Sequence, residues 1–287
     1  MYAPSFDYYR ARSVADAHQL LAAHPGAKLL AGGHSLVPLL KLRLAAPSAL
    51  VDIGRIPELR GISRQGDAIR IGALATHAEL AASADLRNAA PALADAAAMV
   101  GDPAVRNRGT SGGNVAHADP ASDLPTVLVA LDARILASGP GGARTIAADQ
   151  FFTGIMTTAL AEDEILTAIE VPASSRGQGS AYEKFSHPAS RYAVLGVAAW
   201  VALANGTCSA ARIALGGLVP NARRAGSAER ALVGKAINDD TIAAAAAQVA
   251  ADLGDDVSGD IYASAEYRSA MAPVFTKRVL ANAAARA

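Results

Sequence analysis

The sequence predicts an α+β protein of two domains. Three observations carry the prediction. Residues 4–53 alternate strand, helix, strand, glycine-rich loop, helix and strand. A polar stretch at 173–180 (Ala, Ser, Ser, Arg, Gly, Gln, Gly, Ser) breaks an otherwise apolar chain. Beyond it strand patterns come first and helical patterns last, the order of an α+β domain. With 287 residues, 52% of them hydrophobic, the chain can bury one large core or two ordinary ones.

The elements follow in order. Residues 4–9 read as extended. Ser13 sits where an N-cap belongs, before apolar positions at helical spacing, and Pro25-Gly26 ends that helix. Lys28–Ala31 is a short strand feeding a glycine loop. Leu36–Leu44 is a helix with Lys41 and Arg43 near its C-terminus, and Ala49–Ile53 is a strand. Gln65-Gly66-Asp67 between two short strand patterns predicts a hairpin. Thr76 caps a short helix, and Pro91–Met99 forms another. Arg106–Asn114 is expected to be a loop, because glycine costs about 1 kcal/mol in a helix or strand interior. A helix opens at Asp123-Leu124-Pro125, with Pro125 in its first turn. Ala133–Ser138 and Glu164–Val171 are strands around a Gly139–Gly142 turn. The second domain has strands at 181–186, 194–203 and 212–217. Its helices are expected at 227–233, 240–253 and 265–285, the last kinked or split by Pro273.

Composition removes several functions. The formal net charge is 0, so no general attraction to nucleic acid or acidic lipid exists. A single cysteine, Cys208, can form neither an internal disulfide nor an iron–sulfur or cysteine-rich zinc site. The six histidines show no metal-binding spacing. Residues 1–12 lack the apolar core of a signal peptide. The uncharged run 192–211 holds Asn205-Gly206, which reads as a hairpin turn after a buried strand, so no transmembrane segment is expected.

Two glycine stretches carry the chemistry. Ala31-Gly32-Gly33-His34-Ser35-Leu36 and Arg106–Asn114 combine glycines with hydroxyl, amide and basic side chains. Such runs let backbone N–H groups approach an anion such as a pyrophosphate. Neither the G-x-G-x-x-G fingerprint after a strand nor a P-loop occurs, so the pair points to a dinucleotide held outside a Rossmann fold. Gly109-Thr110-Ser111-Gly112-Gly113 also matches the nucleophile elbow of serine hydrolases, but Val105–Arg108 is no buried strand to carry it. His34 reads as a cofactor contact, with covalent flavin attachment as the alternative, and His117 as a polar neighbour of the site. Asp123 has two readings, a carboxylate accepting from ribose hydroxyls or a pyrimidine edge, or a cap for its own helix.

Together, 31–36 and 110–114 resemble the paired flavin loops of the FAD-binding medium subunit of molybdenum hydroxylases, the carbon monoxide and xanthine dehydrogenase family. The resemblance spans essentially the whole chain. It includes Pro4, Phe6 and Tyr8, the run 119–125, the 164–172 strand and Glu266-Tyr267-Arg268. It implies a two-lobed α+β FAD-binding domain of the vanillyl-alcohol oxidase/p-cresol methylhydroxylase type over 1–173, with lobes of about 1–56 and 57–173. A smaller α+β domain over 178–287, a three-stranded sheet with a helical bundle, would follow.

The resemblance also implies roles. Backbone N–H groups of Ala31, Gly32, Gly33, His34 and Ser35, beside Leu36, and of Thr110, Ser111, Gly112, Gly113 and Asn114 would wrap the FAD pyrophosphate. Asp123 would hold the ribityl or ribose region, and Val100 and Leu166 would line the cofactor. Lys184 would lie near the flavin ring and favour its anionic reduced form. Tyr192 would lie over the isoalloxazine. Tyr192-Ala193 after Arg191 replaces the acidic residues of NAD-reducing members, which favours the carbon monoxide dehydrogenase-like branch.

The implied function is an electron-transfer subunit with non-covalent FAD. It would pass electrons from [2Fe–2S] clusters on a small partner subunit to a quinone, NAD or oxygen. The molybdenum cofactor would sit on a large partner subunit, in a dimer of heterotrimers in the cytoplasm or on the inner membrane through the complex. The alternatives are a free-standing flavin oxidase of the vanillyl-alcohol oxidase type, a serine hydrolase using Ser111, and a cofactor-free scaffold.

Overall fold

The computed structural model describes residues 2–287. The chain begins with β1 (Asp7–Arg10), α1 (Val14–Ala23), β2 (Lys28–Leu30), α2 (Leu36–Lys41) and β3 (Ala49–Asp52). The strands pair in parallel in the order β1-β3-β2. Ser13 caps α1 by accepting from the Asp16 N–H, as its spacing predicts. Helix α2 stops short of Leu44, because Arg43 turns left-handed at φ 59°.

Next come β4 (Ile62–Gln65), β5 (Ala68–Gly72), α3 (His77–Ala82), α4 (Ala84–Ala89), α5 (Pro91–Met99), α6 (Pro103–Arg106), α7 (Ser111–His117) and α8 (Asp123–Ala130). Then β6 (Arg134–Gly139), β7 (Gly142–Ala147), α9 (Ala148–Phe151), β8 (Phe152–Gly154), β9 (Thr157–Thr158) and β10 (Ile165–Pro172) follow. An antiparallel sheet of order β4-β5-β10-β6-β7 forms the floor. Its inward residues Ile69, Ile71, Ile135 and Ile169 meet Leu93 of α5 and Leu128 of α8 in one core. All eight residues of α8 are buried, which suits its uncharged run after Asp123.

The second glycine stretch corrects an expectation: from Ser111 it is helix, not loop. Thr110 caps it by accepting from the Gly113 N–H. Ser111 and Gly112 donate N–H bonds to Ala75 O and Ala73 O, 2.8 and 2.9 Å away. Gly112 packs on that segment so closely that a Cβ would lie 2.6 Å from the Ala73 Cβ. Two glycines cost about 2 kcal/mol in a helix, but the cap contributes about 1 kcal/mol, each added hydrogen bond about 1, and only glycine permits the approach.

The rest of the chain comprises β11 (Gln178–Ser186), β12 (Ala193–Ala204), β13 (Thr207–Gly216), β14 (Arg223–Arg224), α10 (Gly226–Leu232), α11 (Asp239–Ala247) and α12 (Ala265–Ala285). Three long antiparallel strands form the sheet, with the two-residue β14 at its edge. Helix α12 is not split: Pro273 lies inside one continuous run. Its buried face includes Phe275, Val279 and Leu280, packed in the core of this sheet. Burying three such side chains stabilises by roughly 5–9 kcal/mol, more than the ~3 kcal/mol a helical proline costs.

Helix α5 joins the two halves. Its Ala92 N–H donates to Ser180 Oγ at 3.3 Å, and Asp95 accepts from Arg286 at the chain's end at 2.5 Å.

Candidate functional site

A cavity of about 620 Å³ runs between the parallel sheet, the α7–α8 region and the loop before β12. Every residue of the first glycine stretch, 31–36, lines it. Val100, Thr110, Gly112, Gly113, Asn114, Asp123, Leu166 and Tyr192 line it too. Ser111 and Lys184 are not among its walls.

The two glycine stretches differ in what they offer. In the first, the N–H groups of Gly32, Gly33, His34 and Ser35 have no acceptor among the described residues. Gly33 is left-handed, at φ 78°. In the second, the N–H groups of Ser111, Gly112, Gly113 and Asn114 all bond within the chain. The free backbone N–H groups of the two stretches are thus those of residues 32–35 and of Thr110, while those of residues 111–114 are committed within the chain. The second offers the Asn114 side chain, whose Oδ1 accepts from Ser122 Oγ at 2.7 Å, leaving the amide N–H₂ free. The stretches touch: a Cβ on Gly32 would sit 2.1 Å from Arg108 O.

Asp123 does not cap α8 with its side chain. Its Oδ1 accepts from the Tyr182 hydroxyl at 2.6 Å, and Lys184 Nζ lies 2.9–3.0 Å from its two oxygens. Lys184 also donates to Met99 O at 3.0 Å and Arg191 O at 2.7 Å, so its three N–H donors are used. Lys184 thus holds Asp123 and the loop of Tyr192, with its three donors spent within the chain. Burial pushes the Asp123 carboxyl up from its ordinary value, against the pull of Lys184 and Tyr182. The Tyr182 hydroxyl is pushed up by burial and by Asp123. Tyr192 is 46% exposed at the cavity rim. Burial, with Asp119 and Asp123, raises its hydroxyl pKa.

Ser111 is fully buried, and its Oγ donates to Gly72 O at 3.1 Å. Asp119, Asp123 and His187 make no hydrogen bond to it, so no nucleophile–base pair exists. His34 lines the cavity; His117 lines it near Asn114.

Residue-by-residue reading did not single out Tyr182, Ser122 or His77. Tyr182 and Ser122 act through partners 59 and 8 residues away, which no local pattern shows. The signal for His77 was Thr76, the cap that starts a helix immediately beyond β5.

The cavity suits a dinucleotide bearing an anionic diphosphate. Free N–H groups cluster at 32–35, glycine lets the two stretches meet, and a buried carboxylate stands ready for hydroxyl or imide donors. Apolar walls from Leu21, Leu29, Leu36 and Leu166 suit a flat aromatic ring. Fold and site define a two-domain flavoprotein. The comparisons agree. The family described as the FAD binding domain in molybdopterin dehydrogenase matches residues 4–174, and the CO dehydrogenase flavoprotein C-terminal domain matches 180–283. The carbon monoxide dehydrogenase medium chain of Hydrogenophaga pseudoflava is 42% identical, covering 100% of this chain and 99% of that one. The 6-hydroxypseudooxynicotine dehydrogenase complex subunit alpha of Paenarthrobacter nicotinovorans is 41% identical over 99% and 96%. A solved carbon monoxide dehydrogenase from H. pseudoflava superposes with a TM-score of 0.95 at 44% identity, covering 100% and 99%. The chain belongs to the FAD-binding medium subunits of the molybdenum hydroxylases.

Proposed function

We propose that this chain is the electron-transfer flavoprotein subunit of a heterotrimeric molybdenum hydroxylase. When bound, FAD supplies the redox chemistry, taking electrons from partner [2Fe–2S] clusters and releasing them to an external acceptor. The chain's own work is to bind and orient. Gly32–Ser35 hold the diphosphate through free N–H groups, with Asn114 as a side-chain donor. Asp123, fixed by Tyr182 and Lys184, accepts from a hydroxyl or imide of the cofactor. Val100 and Leu166 exclude water from its apolar faces, and Tyr192 stands at the rim where an acceptor arrives. Residues 1–173 form the FAD domain and 178–287 the C-terminal domain, whose β11 supplies Lys184 and Tyr182 to the site.

The observation that carries this reading is the cavity itself, which joins the free N–H groups of 32–35 to the buried Asp123. The acceptor is a quinone, NAD or oxygen, and the neutral Tyr192-Ala193 after Arg191 weigh against NAD. The assembly is a dimer of heterotrimers in the cytoplasm, with a large molybdenum subunit performing the hydroxylation. The test is anaerobic reduction of the purified complex by its substrate, followed at the flavin bands. Flavin bleaching after cluster reduction supports the reading. Clusters that reduce while bound flavin stays oxidised contradict it.

A further inference from the structure

His77 is the one residue among those described whose buried side-chain nitrogen, Nδ1, has no partner. The residue is 2% exposed and lines the cavity. Its backbone N–H donates to Gly109 O at 3.0 Å, and its ring packs on Gly109. A Cβ on Gly109 would lie 2.9 Å from the ring's Cδ2 and 3.2 Å from Nε2. The imidazole therefore sits directly before Thr110, on the side where the two glycine stretches meet.

The protonation state follows from the surroundings. Burial, His34 and Arg106 lower the pKa of His77 to about 4, so the ring is neutral at pH 7. A neutral imidazole carries one N–H. An orphaned buried N–H is rarer than an orphaned acceptor, so the bare nitrogen is Nδ1 and the hydrogen is on Nε2. Among the described residues none accepts from Nε2 either. The side chains acting on the ring are His34 and Arg106, with no carboxylate among them. A directional donor amid basic neighbours and free backbone N–H groups calls for an oxyanion.

We infer that His77 is a further binding residue for the diphosphate of the cofactor, donating one hydrogen bond from Nε2–H to a phosphate oxygen held by Gly32–Ser35. This rests on the reading of the cavity as the FAD site. His77 supplies a side-chain donor beside the second glycine stretch, where the N–H groups of residues 111–114 are tied to Ala75, Ala73 and Thr110.

The test compares two polar replacements in the full chain, co-purified with its partner subunits and freed of flavin. His77→Gln places an N–H₂ near the position of Nε2; His77→Asn places it near Nδ1. Binding of FAD is read by fluorescence quenching, and ADP, which shares the diphosphate, is read by competition. Thermal unfolding without ligand checks the fold. The expected result is that His77→Asn weakens both FAD and ADP by roughly 10- to 100-fold, while His77→Gln stays near the wild type. Equal binding by both variants and the wild type would overturn the inference and leave the FAD site intact. An equal loss in both variants would reduce His77 to packing. A loss for FAD without a loss for ADP would remove the diphosphate from the assignment. A wild type that binds neither ligand would overturn the site and the inference together.

Discussion

Lys184 Nζ stands 2.9 Å from the Asp123 carboxylate, and the two side chains are 0% and 5% exposed. The pair links the second domain to the first, because Lys184 lies on β11 and Asp123 starts α8. The same ammonium ties Met99 at the end of α5 and Arg191, a left-handed residue at φ 61° beside Tyr192. One buried cation therefore sets the geometry of the carboxylate and of the rim.

Lys184→Met leaves a buried carboxylate without its counter-charge. A loss of about 3–5 kcal/mol is expected, measured by urea unfolding at pH 7. The loss depends on pH with a definite sign. Burial already raises the Asp123 pKa above its ordinary 3.8. A group so shifted contributes stability below its unfolded pKa and loses it as pH rises through the folded value. Removing Lys184 raises that value further, so the deficit of the variant grows as pH rises from about 4 towards 7. A deficit independent of pH would contradict the buried ion pair.

Gly32→Val tests the meeting of the glycine stretches. Its Cβ would fall 2.1 Å from Arg108 O, a backbone atom of a residue whose N–H donates to Val105 O of α6. The stretches must separate, and FAD retention is expected to fall at least tenfold, a cost of about 1.4 kcal/mol or more. Flavin absorbance per protein after gel filtration measures it; unchanged flavin content would contradict the clamp.

Ser111→Ala removes the bond from Oγ to Gly72 O and leaves the carbonyl a second partner to find. A stability loss of about 1 kcal/mol is expected, with FAD content unchanged. The wild-type chain is expected to resist fluorophosphonate labelling. Labelling at Ser111 would revive the hydrolase reading.

Glu164 reports on the FAD-domain sheet. Arg144 grips its carboxylate at 2.5 and 2.7 Å, and the Ala161 N–H adds a third bond. These hold its pKa down from 4.5 to about 2. A depressed carboxyl stabilises above its unfolded pKa and loses that contribution as pH falls through the folded one. The wild type is thus expected to exceed Glu164→Gln in stability above pH 4.5, with the gap closing towards pH 2. Acid titrations followed by circular dichroism measure this; a gap that widens on acidification would contradict it.

Much of the fold was legible because its signals are local. Ser13, Thr76 and Pro91 mark helix starts, and Gln65-Gly66-Asp67 marks a hairpin, each within a few residues. What escaped depends on distant partners. The helix from Ser111 exists because Ala73 and Ala75 accept its first N–H groups, some 36–39 residues upstream. The unbroken α12 exists because a sheet covers the face on either side of Pro273. In the site, the glycine stretches and Asp123 were readable as residue types suited to an anion and to hydroxyls. Lys184 entered only through the family resemblance, as a lysine near the flavin ring, and its use could not be read. Nothing local states that Met99 O, Arg191 O and Asp123 converge on one ammonium. His77 escaped for the same reason, since its partner segment, Gly109–Thr110, lies more than 30 residues on.

The flavin content of the chain, co-purified with its partner subunits, tests the FAD clamp most directly. The predicted result is one FAD per chain in the complex, seen as flavin bands with iron–sulfur absorbance and released by denaturation as free, non-covalent FAD. A fully assembled, correctly folded complex that carries iron–sulfur clusters but neither holds nor takes up FAD would contradict it.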